Sequence, residues 1–162
     1  MARILVTGGA GYIGSHTVVE LMQQGYEVVI VDNFSNSSAD VLEGIVAIVG
    51  VRPAFEQVDC NDATAMDSVF SKYPDIVGVI HFAASKAVNE SVAQPLMYYR
   101  NNLMSLVTVL EQMKKHNVHH IVFSSSCTVY GQPSAEHLPV DETAPIQKAL
   151  SPYGNTKQIN ED

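Results

Sequence analysis

The chain has 162 residues, of which 46% are hydrophobic and 16% are charged, a balance typical of one globular domain and unlike that of a disordered chain. Its 17 acidic and 9 basic residues give a formal net charge of −8, which argues against nucleic acid as a partner. No apolar stretch reaches the roughly 18 residues of a membrane span, and Cys60 and Cys127 lack the spacing of a disulfide or metal site, so we expect a cytoplasmic protein with no membrane partner.

The first predicted element is a short strand that leads into a glycine-rich turn and then a helix. The strand covers residues 3–7, and the turn holds Gly8, Gly11 and Gly14. Glycines let the main chain turn sharply and approach a ligand closely. The helix that follows directs free N–H groups and the positive end of its dipole at the same place. This arrangement predicts a site for the pyrophosphate of a dinucleotide.

The second predicted strand runs from Glu27 to Asp32, and Asp32 lies 18 residues past Gly14, close to the roughly 20 of a dinucleotide-binding unit. A carboxylate at this distance accepts hydrogen bonds from the adenosine ribose of a bound dinucleotide. It would repel a 2′-phosphate, and no Arg or Lys lies between Asp32 and Asp40 to offset that repulsion. The pattern therefore predicts NAD as the cofactor and not NADP.

The remaining predicted elements alternate between helix and strand. Strands are expected at residues 54–59, 76–82 and 119–125, and helices at residues 41–49, from 61 or 62 to about 72, and from 95 to about 116. This order predicts an α/β fold with a doubly wound parallel sheet of the Rossmann type and the strand order 3-2-1-4-5. The ligand crevice of such a sheet opens at the carboxyl ends of strands one and four.

Three segments carry polar or small residues into that crevice. They follow strands three, four and five and cover residues 59–60, 82–86 and 124–126. Beyond them, residues 127–150 lose their periodicity, and a segment of this length inside a compact domain is usually a functional loop.

Tyr153 and Lys157 are four residues apart and would share one face of a helix. An ammonium group beside a phenol favours the phenolate. The phenolate can accept the proton of a substrate hydroxyl while hydride leaves the same carbon for NAD. Ser126, at the end of strand five, would donate a hydrogen bond to the substrate oxygen. The three residues therefore predict a proton-transfer device beside the dinucleotide.

Two sets of motifs resemble known enzymes. Thr7-Gly8-x-x-Gly11-x-x-Gly14 together with Tyr153-x-x-x-Lys157 resembles the extended short-chain dehydrogenase/reductase family, from Arg3 to the end of the chain. Residues 81–92 and 124–131 resemble the UDP-glucose 4-epimerases within that family. Their reaction removes hydride from C4 of a UDP-hexose, turns over a 4-keto intermediate, and returns hydride to the other face. The resemblance thus implies NAD as cofactor and a UDP-sugar as substrate.

The resemblance also implies roles for individual residues. Tyr153 is the catalytic base, Lys157 its partner, and Ser126 a hydrogen-bond donor to the substrate, while Lys86 lies near the nicotinamide ribose or a substrate phosphate. The predicted cofactor-binding residues are Gly8, Gly11, Tyr12, Ile13, Gly14, Asp32, Asn33, Phe34, Ser35, Asn36, Ser37, Asp59, Cys60, Phe82, Ala83, Ala84, Ser85, Lys86, Asn101, Tyr153 and Lys157. The predicted substrate-binding residues are Lys86, Ser126 and Tyr153.

Other activities fit the same scaffold to different degrees. The related nucleotide-sugar dehydratases carry an Asp-Glu pair after the strand-five hydroxyl residue, and decarboxylases carry a Glu there. This chain has Cys127 and Thr128, which favours epimerisation over elimination. A different nucleotide sugar and a non-catalytic dinucleotide-binding role stay open. His116, His119 and His120 match no metal motif, so no metal is expected.

The chain is much shorter than the epimerases that it resembles. We therefore expect residues 1–162 to form an NAD-binding Rossmann domain that is truncated before the later strands and a small C-terminal substrate domain. Such a fragment would bind NAD weakly and have little activity. Its exposed strand-five edge would favour self-association, and the resemblance implies a homodimer packed through long helices.

Overall fold

The computed structural model describes residues 2–162, which form five strands and six α-helices. In chain order these are β1 (Arg3–Thr7), α1 (Tyr12–Gln23), β2 (Glu27–Val31), α2 (Asp40–Val49), β3 (Ala54–Glu56), α3 (Ala63–Lys72), β4 (Ile76–His81), α4 (Val88–Ala93), α5 (Pro95–Lys115), β5 (His120–Phe123) and α6 (Pro152–Glu161). Two compact units are present: the first runs to Ala83 and adds Ser105–Ser124, and the second contains Ala84–Met104 and Ser125–Asp162.

The first unit contains the whole sheet, which is parallel and has the order β3-β2-β1-β4-β5. The predicted doubly wound sheet and its strand order are therefore confirmed. Strand β1 lies between β2 and β4, and its apolar residues are fully buried at Leu5 and Val6. A strand that is buried on both faces needs a continuous apolar run, which the sequence supplies.

Two hydrophobic cores cover the two faces of this sheet. Because successive side chains of a strand point to opposite faces, neighbouring residues of β1 and β2 belong to different cores. Leu5 and Val29 pack with apolar residues of α3 and α5, whereas Val6 and Ile30 pack with those of α1 and α2. The glycine turn follows the last residue of β1 and therefore lies at the carboxyl edge of the sheet.

Strand β3 is shorter than predicted, because its pairing with β2 ends at Glu56, opposite Val31, the last residue of β2. The Asp59 carboxylate accepts a hydrogen bond from the Asn61 N–H at 2.8 Å, which forms a local turn. The Asp62 carboxylate then caps α3 by accepting from the N–H groups of Thr64 and Ala65, both at 3.0 Å. The predicted cap of α3 is thus confirmed, while the predicted strand end at 59 is wrong.

The second unit contains α4, α6, the first part of α5 and two single 3₁₀ turns, Cys127–Tyr130 and Ala135–His137. Helix α4 was not predicted, because its six residues are too few to show a helical period. Ser91 is fully buried in it and donates to the Val88 carbonyl at 2.6 Å. Residues 127–150, predicted to lack regular structure, contain no helix or strand apart from these two 3₁₀ turns.

No helix within residues 2–162 combines the length and the apolar character that a membrane crossing requires.

Candidate functional site

The glycine turn after β1 belongs to the first unit and is held by close main-chain contacts. The Gly8 N–H donates to the Val31 carbonyl at 2.8 Å, and Gly8 has a φ of 66°, in the region that favours glycine. A Cβ atom at Gly8 would lie 2.8 Å from the Ala83 nitrogen, and one at Gly14 would overlap the Gly8 carbonyl oxygen. Both positions therefore require glycine, and the turn presents main chain in place of side chains.

Helix α1 begins directly after this turn without a side-chain cap. Gly11 is its N-cap residue, and its first turn holds no acidic residue. The side chains of Tyr12 and Ile13 are 78% and 58% exposed. An uncapped helix N-terminus offers N–H groups and a positive dipole end to an anion. The turn and the helix together fit the pyrophosphate of a dinucleotide.

The Asp32 carboxylate connects the glycine turn to the segment that follows β2. Its Oδ2 accepts from the Ala10 N–H at 3.1 Å, and its Oδ1 accepts from the Phe34 N–H at 2.9 Å and the Ser37 hydroxyl at 2.8 Å. An ionised carboxylate has about four acceptor positions. The three bonds within the protein leave one position for a further donor, which fits a ribose hydroxyl.

The segment after Asp32 contains a backbone conformation that the sequence did not reveal. Phe34 has a φ of 58°, a value that is rare for a bulky side chain and costs about 1–3 kcal/mol. Its ring stacks on Phe55 with 4.8 Å between the ring centroids, which holds the strained residue in place. The side chains at 35–36 are exposed.

Asp59 and Cys60, predicted to flank the adenine, differ in their surroundings. Burial raises the pKa of the Asp59 carboxyl, but hydrogen bonds from Asn61 and Asn33 outweigh it, so the pKa lies below its usual value. Cys60 is 5% exposed and packs in the core under the sheet, where burial raises the pKa of its thiol to about 12. The Cys60 thiol therefore faces the core and only its main chain can meet a ligand.

The end of β4 lies against the glycine turn within the first unit. The His81 Nδ1 is 2.8 Å from the Thr7 hydroxyl, and the Phe82 N–H donates to the Thr7 carbonyl at 3.1 Å. His81 is 2% exposed and stacks on Phe123 with 6.2 Å between ring centroids. His81 therefore packs at the end of β4, between Thr7 and Phe123.

In the second unit, Asn102 connects the segment after β4 to helix α6. It is 1% exposed, its Oδ1 accepts from the Ser85 N–H at 2.9 Å, and its Nδ2 donates to the Ser85 carbonyl at 2.9 Å and the Thr156 hydroxyl at 3.1 Å. Asn101 donates to the Ser85 hydroxyl at 3.2 Å. Asn101 was predicted as a site residue from the sequence, and Asn102 was not. The adjacent asparagines were a visible signal, but only burial distinguishes the two.

Ser126 is the N-cap residue of the first 3₁₀ turn. Its Oγ accepts from the Thr128 N–H at 3.3 Å and from the Thr128 hydroxyl at 3.0 Å. In both bonds Ser126 is the acceptor, so its hydroxyl hydrogen can point to a ligand oxygen. The Gln158 amide of α6 donates to the Val129 carbonyl at 2.7 Å, which ties this turn to the helix that carries Tyr153.

Tyr153 and Lys157 lie in the first two turns of α6, four residues apart. The helix begins with Pro152 after the N-cap Ser151, whose Oγ accepts from the Gly154 N–H at 3.1 Å. Lys157 is 4% exposed, and its Nζ is 6.0 Å from the centroid of the Tyr153 ring. Burial lowers the pKa of the Lys157 amine to about 8. The phenol thus lies beside an amine that is largely shielded from water.

The predicted site residues fall into both units. The first unit brings together the glycine turn, the segment 32–37, the pair 59–60 and the end of β4. The second unit contains Ala84, Ser85, Lys86, Asn101, Ser126, Tyr153 and Lys157.

The histidines form no metal centre among residues 2–162, where no group of three His, Cys, Asp or Glu side chains could hold an ion. His119 and His120 are exposed. His116 has its Nε2 2.7 Å from an Asp67 carboxylate oxygen and stacks on Phe70. Hydrogen bonds from Lys115 and His116 lower the pKa of the Asp67 carboxyl.

The chain matches a family of known proteins over nearly its whole length. Residues 4–162 match the family described as the NAD dependent epimerase/dehydratase family. The chain belongs to this family. The resemblance predicted from the sequence is therefore confirmed, and so is NAD as the cofactor for which the family is named.

Several members of this family are close relatives. UDP-glucose 4-epimerase of Bacillus subtilis is 54% identical over 158 residues, which cover 98% of this chain and 45% of that protein. UDP-glucose 4-epimerase uge1 of Schizosaccharomyces pombe is 50% identical over 161 residues, with 98% and 45% covered. A crystal structure of UDP-glucose 4-epimerase from Bifidobacterium longum with NAD+ and UDP superposes with a TM-score of 0.94 at 48% identity and covers 99% of this chain and 47% of that one. The chain thus spans about half the length of these epimerase/dehydratase family members.

Proposed function

We propose that residues 1–162 are the NAD-binding part of an enzyme that epimerises UDP-glucose and UDP-galactose at C4. The observation that carries this proposal is the pair of Tyr153 and buried Lys157, found in a chain with an uncapped glycine turn. A dinucleotide site alone would need only the turn. The pair adds a group that can exchange a proton with a sugar hydroxyl.

The first unit would hold the adenosine and pyrophosphate portions of NAD. The main chain of Gly8 to Gly14 and the N-terminus of α1 bind the pyrophosphate without a basic side chain. Asp32 uses its remaining acceptor position for a ribose hydroxyl, and its charge disfavours a 2′-phosphate. NAD bound there would supply the hydride acceptor for C4 of the sugar and, once reduced, the hydride donor.

Tyr153 would act as the base on the C4 hydroxyl. Its phenolate accepts the hydroxyl proton while C4 loses hydride, which leaves a ketone at C4 of the sugar. The ketone then rotates and presents its other face, and the Tyr153 hydroxyl returns the proton to the oxygen. No proton is gained or lost over the cycle, so one phenol serves both directions.

Lys157 and Ser126 would support this exchange from two sides. The Lys157 ammonium stabilises the phenolate, and its burial strengthens that attraction because little water screens it. Ser126 has its oxygen occupied by Thr128 as the donor and can itself donate to the sugar oxygen, where negative charge develops.

The test combines binding and chemistry in one sample. Calorimetric titration of the purified chain with NAD should give weak but saturable binding, and later addition of UDP-galactose should produce a slow, small absorbance of bound NADH, because most of the hydride returns to the sugar. Tyr153→Phe should retain NAD binding and lower the rate of NADH formation about 10²-fold or more. Absence of NAD binding would refute the proposal.

A second candidate function is a dinucleotide-binding module without catalysis. It is favoured if NAD binds but no nucleotide sugar produces NADH absorbance, and if Tyr153→Phe behaves as the parent chain does. A panel of UDP-sugars in the same assay separates an epimerase for another sugar from one for UDP-galactose.

We further propose a homodimer and a cytoplasmic location. Helix α5 exposes a row of apolar side chains, with Met104, Val107 and Leu110 at 48%, 42% and 42% exposure. Apolar rows of this kind on a soluble-protein helix commonly mark an interface. Cys60 and Cys127 are both free thiols, which is typical of a reducing compartment.

A further inference from the structure

Tyr98, near the start of α5, is a fully buried tyrosine that no role above includes. It is 0% exposed. Its hydroxyl donates to a Glu90 carboxylate oxygen at 2.6 Å and accepts from the Ala87 N–H at 2.9 Å. Ala87 directly follows Lys86, and Glu90 belongs to α4. One hydroxyl therefore joins α5 to the segment after β4 and to the short helix that follows it.

The ring of the same residue contacts the proposed base. The Tyr98 and Tyr153 rings meet edge to face, with 6.5 Å between centroids and 84° between planes. This geometry lies in the favourable range for aromatic pairs, which contribute about 0.5–1.5 kcal/mol beyond their burial. Both rings belong to the second unit.

We propose that Tyr98 is a positioning residue that couples the segment Ala84–Ala87 to the phenol of Tyr153. Its hydroxyl fixes the segment and its ring supports the base, so a displacement of either is transmitted to the other. This inference rests on the proposed function, in which the segment lines the cofactor and Tyr153 exchanges the proton.

Tyr98 does not take part in proton exchange itself. Burial raises the pKa of its phenol to about 12, and the hydrogen bond to Glu90 acts in the same direction. The hydroxyl stays protonated at neutral pH and remains a fixed donor. Tyr98 thus holds its neighbours through fixed hydrogen bonds, whereas Tyr153 is the proposed base.

The chain offers a matched pair of substitutions for the test. Tyr98→Phe retains the ring and removes both hydrogen bonds. Tyr73→Phe is the control, because Tyr73 also donates to a glutamate carboxylate, Glu56, at 2.6 Å and lies in the first unit. The readout is the NMR spectrum of the cofactor-free chain with ¹³C-labelled tyrosine rings, in which Tyr153→Phe identifies the Tyr153 signal.

Tyr98→Phe should shift and broaden the Tyr153 ring signal, and Tyr73→Phe should leave it within its linewidth. An unchanged Tyr153 signal in Tyr98→Phe would overturn the proposal. If Tyr98→Phe does not fold, Glu90→Gln replaces it, since this change keeps an acceptor oxygen and weakens only the charged hydrogen bond. It should shift the Tyr153 signal in the same direction by a smaller amount, and no shift there would also overturn the proposal.

Turnover gives a second readout on the same variants. With NAD and UDP-galactose, Tyr98→Phe should lower kcat about 10-fold and leave KM within about twofold, because misplacement of the base affects the chemical step more than binding. A kcat loss without a change in the Tyr153 signal would overturn the positioning role. If the parent chain does not bind NAD, the proposed function has failed, and the NMR comparison still decides whether Tyr98 couples to Tyr153.

Discussion

Lys157 shows how one buried side chain can serve chemistry at a cost to stability. Its amine is 4% exposed, and burial lowers its pKa from 10.5 to about 8. In the unfolded chain the amine is solvated and binds its proton more tightly. At neutral pH the folded chain therefore carries a charged group in a poorly solvated place, which opposes folding.

The sign of the resulting pH dependence follows from proton binding. Between about pH 8 and pH 10.5 the unfolded chain binds more protons at Lys157 than the folded chain does, so this residue makes the free energy of unfolding rise with pH. Below about pH 8 the full penalty, about 3 kcal/mol, is present. Urea unfolding should show Lys157→Met to be more stable than the parent at about pH 7, with a difference that narrows toward about pH 10. A constant difference across this range would contradict the assignment.

Asn102 contributes at the same scale through hydrogen bonds. Asn102→Asp keeps the acceptor for the Ser85 N–H but removes the donors to the Ser85 carbonyl and to Thr156, and places a charge at a site that is 1% exposed. We expect a loss of about 2–4 kcal/mol in the free energy of unfolding. Asn101→Ala, one residue away and half-buried, is the control: it removes the hydrogen bonds from Asn101 to the Ser85 hydroxyl and to the Asn102 Oδ1 without adding a charge and should cost about 1 kcal/mol or less. Equal losses in urea unfolding would refute a special role for Asn102.

At the scale of elements, the join between β1 and α1 carries the most specific constraint. The turn brings the main chain of Gly14 against the Gly8 carbonyl, and the helix begins without a cap. A helix N-terminus that its own sequence leaves unsatisfied is stabilised when an anion binds. The stability of this element and its affinity for NAD should therefore change together.

Two alanine substitutions in helices test this link. Gly14→Ala adds a Cβ that overlaps a main-chain oxygen, whereas Gly44→Ala in α2 adds one that meets nothing within 4 Å. Gly14→Ala should destabilise the chain by about 1–3 kcal/mol and weaken NAD binding about 10-fold or more. Gly44→Ala should stabilise it by about 0.5–1 kcal/mol and leave binding unchanged. Calorimetric NAD titration and thermal unfolding of both variants provide the measurement, and similar behaviour of the two would count against the model of the turn.

The helices and strands differ in how well their existence and their ends could be predicted from the sequence. β1, β2 and β4 were found because their apolar runs end at glycine, aspartate or histidine, and α3 because Asp62 is a visible cap. β3 is shorter than predicted, since its length depends on where its partner β2 ends, which the residues of β3 do not show. Helix α4 and the backbone conformation of Phe34 were not predicted. Contacts with residues distant in sequence hold both of them, and the local sequence pattern shows neither. Tyr153 and Lys157 were singled out from their spacing together with the glycine turn and Ser126, whereas the burial of Lys157 required the structure.

At the scale of the whole molecule, two exposed apolar features bear on self-association. Helix α5 exposes Val107 at 42%, and β5, which pairs only with β4, exposes Val122 at 61%. The proposed homodimer uses the first of these. The second is a sheet edge, which natural proteins usually cover or protect with charge. Self-association through β5 stays a prediction.

A charge on α5 separates these surfaces. Val107→Glu should convert a sedimenting dimer into a monomer, because a desolvated carboxylate in an apolar interface is strongly unfavourable. Ile48→Glu is the matched control, since Ile48 is 62% exposed on α2. Ile48→Glu should leave the dimer intact. Val122→Glu, on the edge strand β5, should reduce only open-ended polymerisation through the sheet edge. A parent chain that sediments as a monomer at every concentration would refute the homodimer.

The Asp32 carboxylate has a consequence for redesign of cofactor preference. It is bonded to Ala10 in the glycine turn and to Phe34 and Ser37 beyond β2, so the group proposed to repel a phosphorylated ribose also fastens two loops. Replacing Asp32 by a small or basic residue would admit the 2′-phosphate. The same replacement would break the hydrogen bonds that hold the two loops proposed to bind the rest of the dinucleotide. A switch to NADP would accordingly need replacement anchors for both loops before the acid is removed.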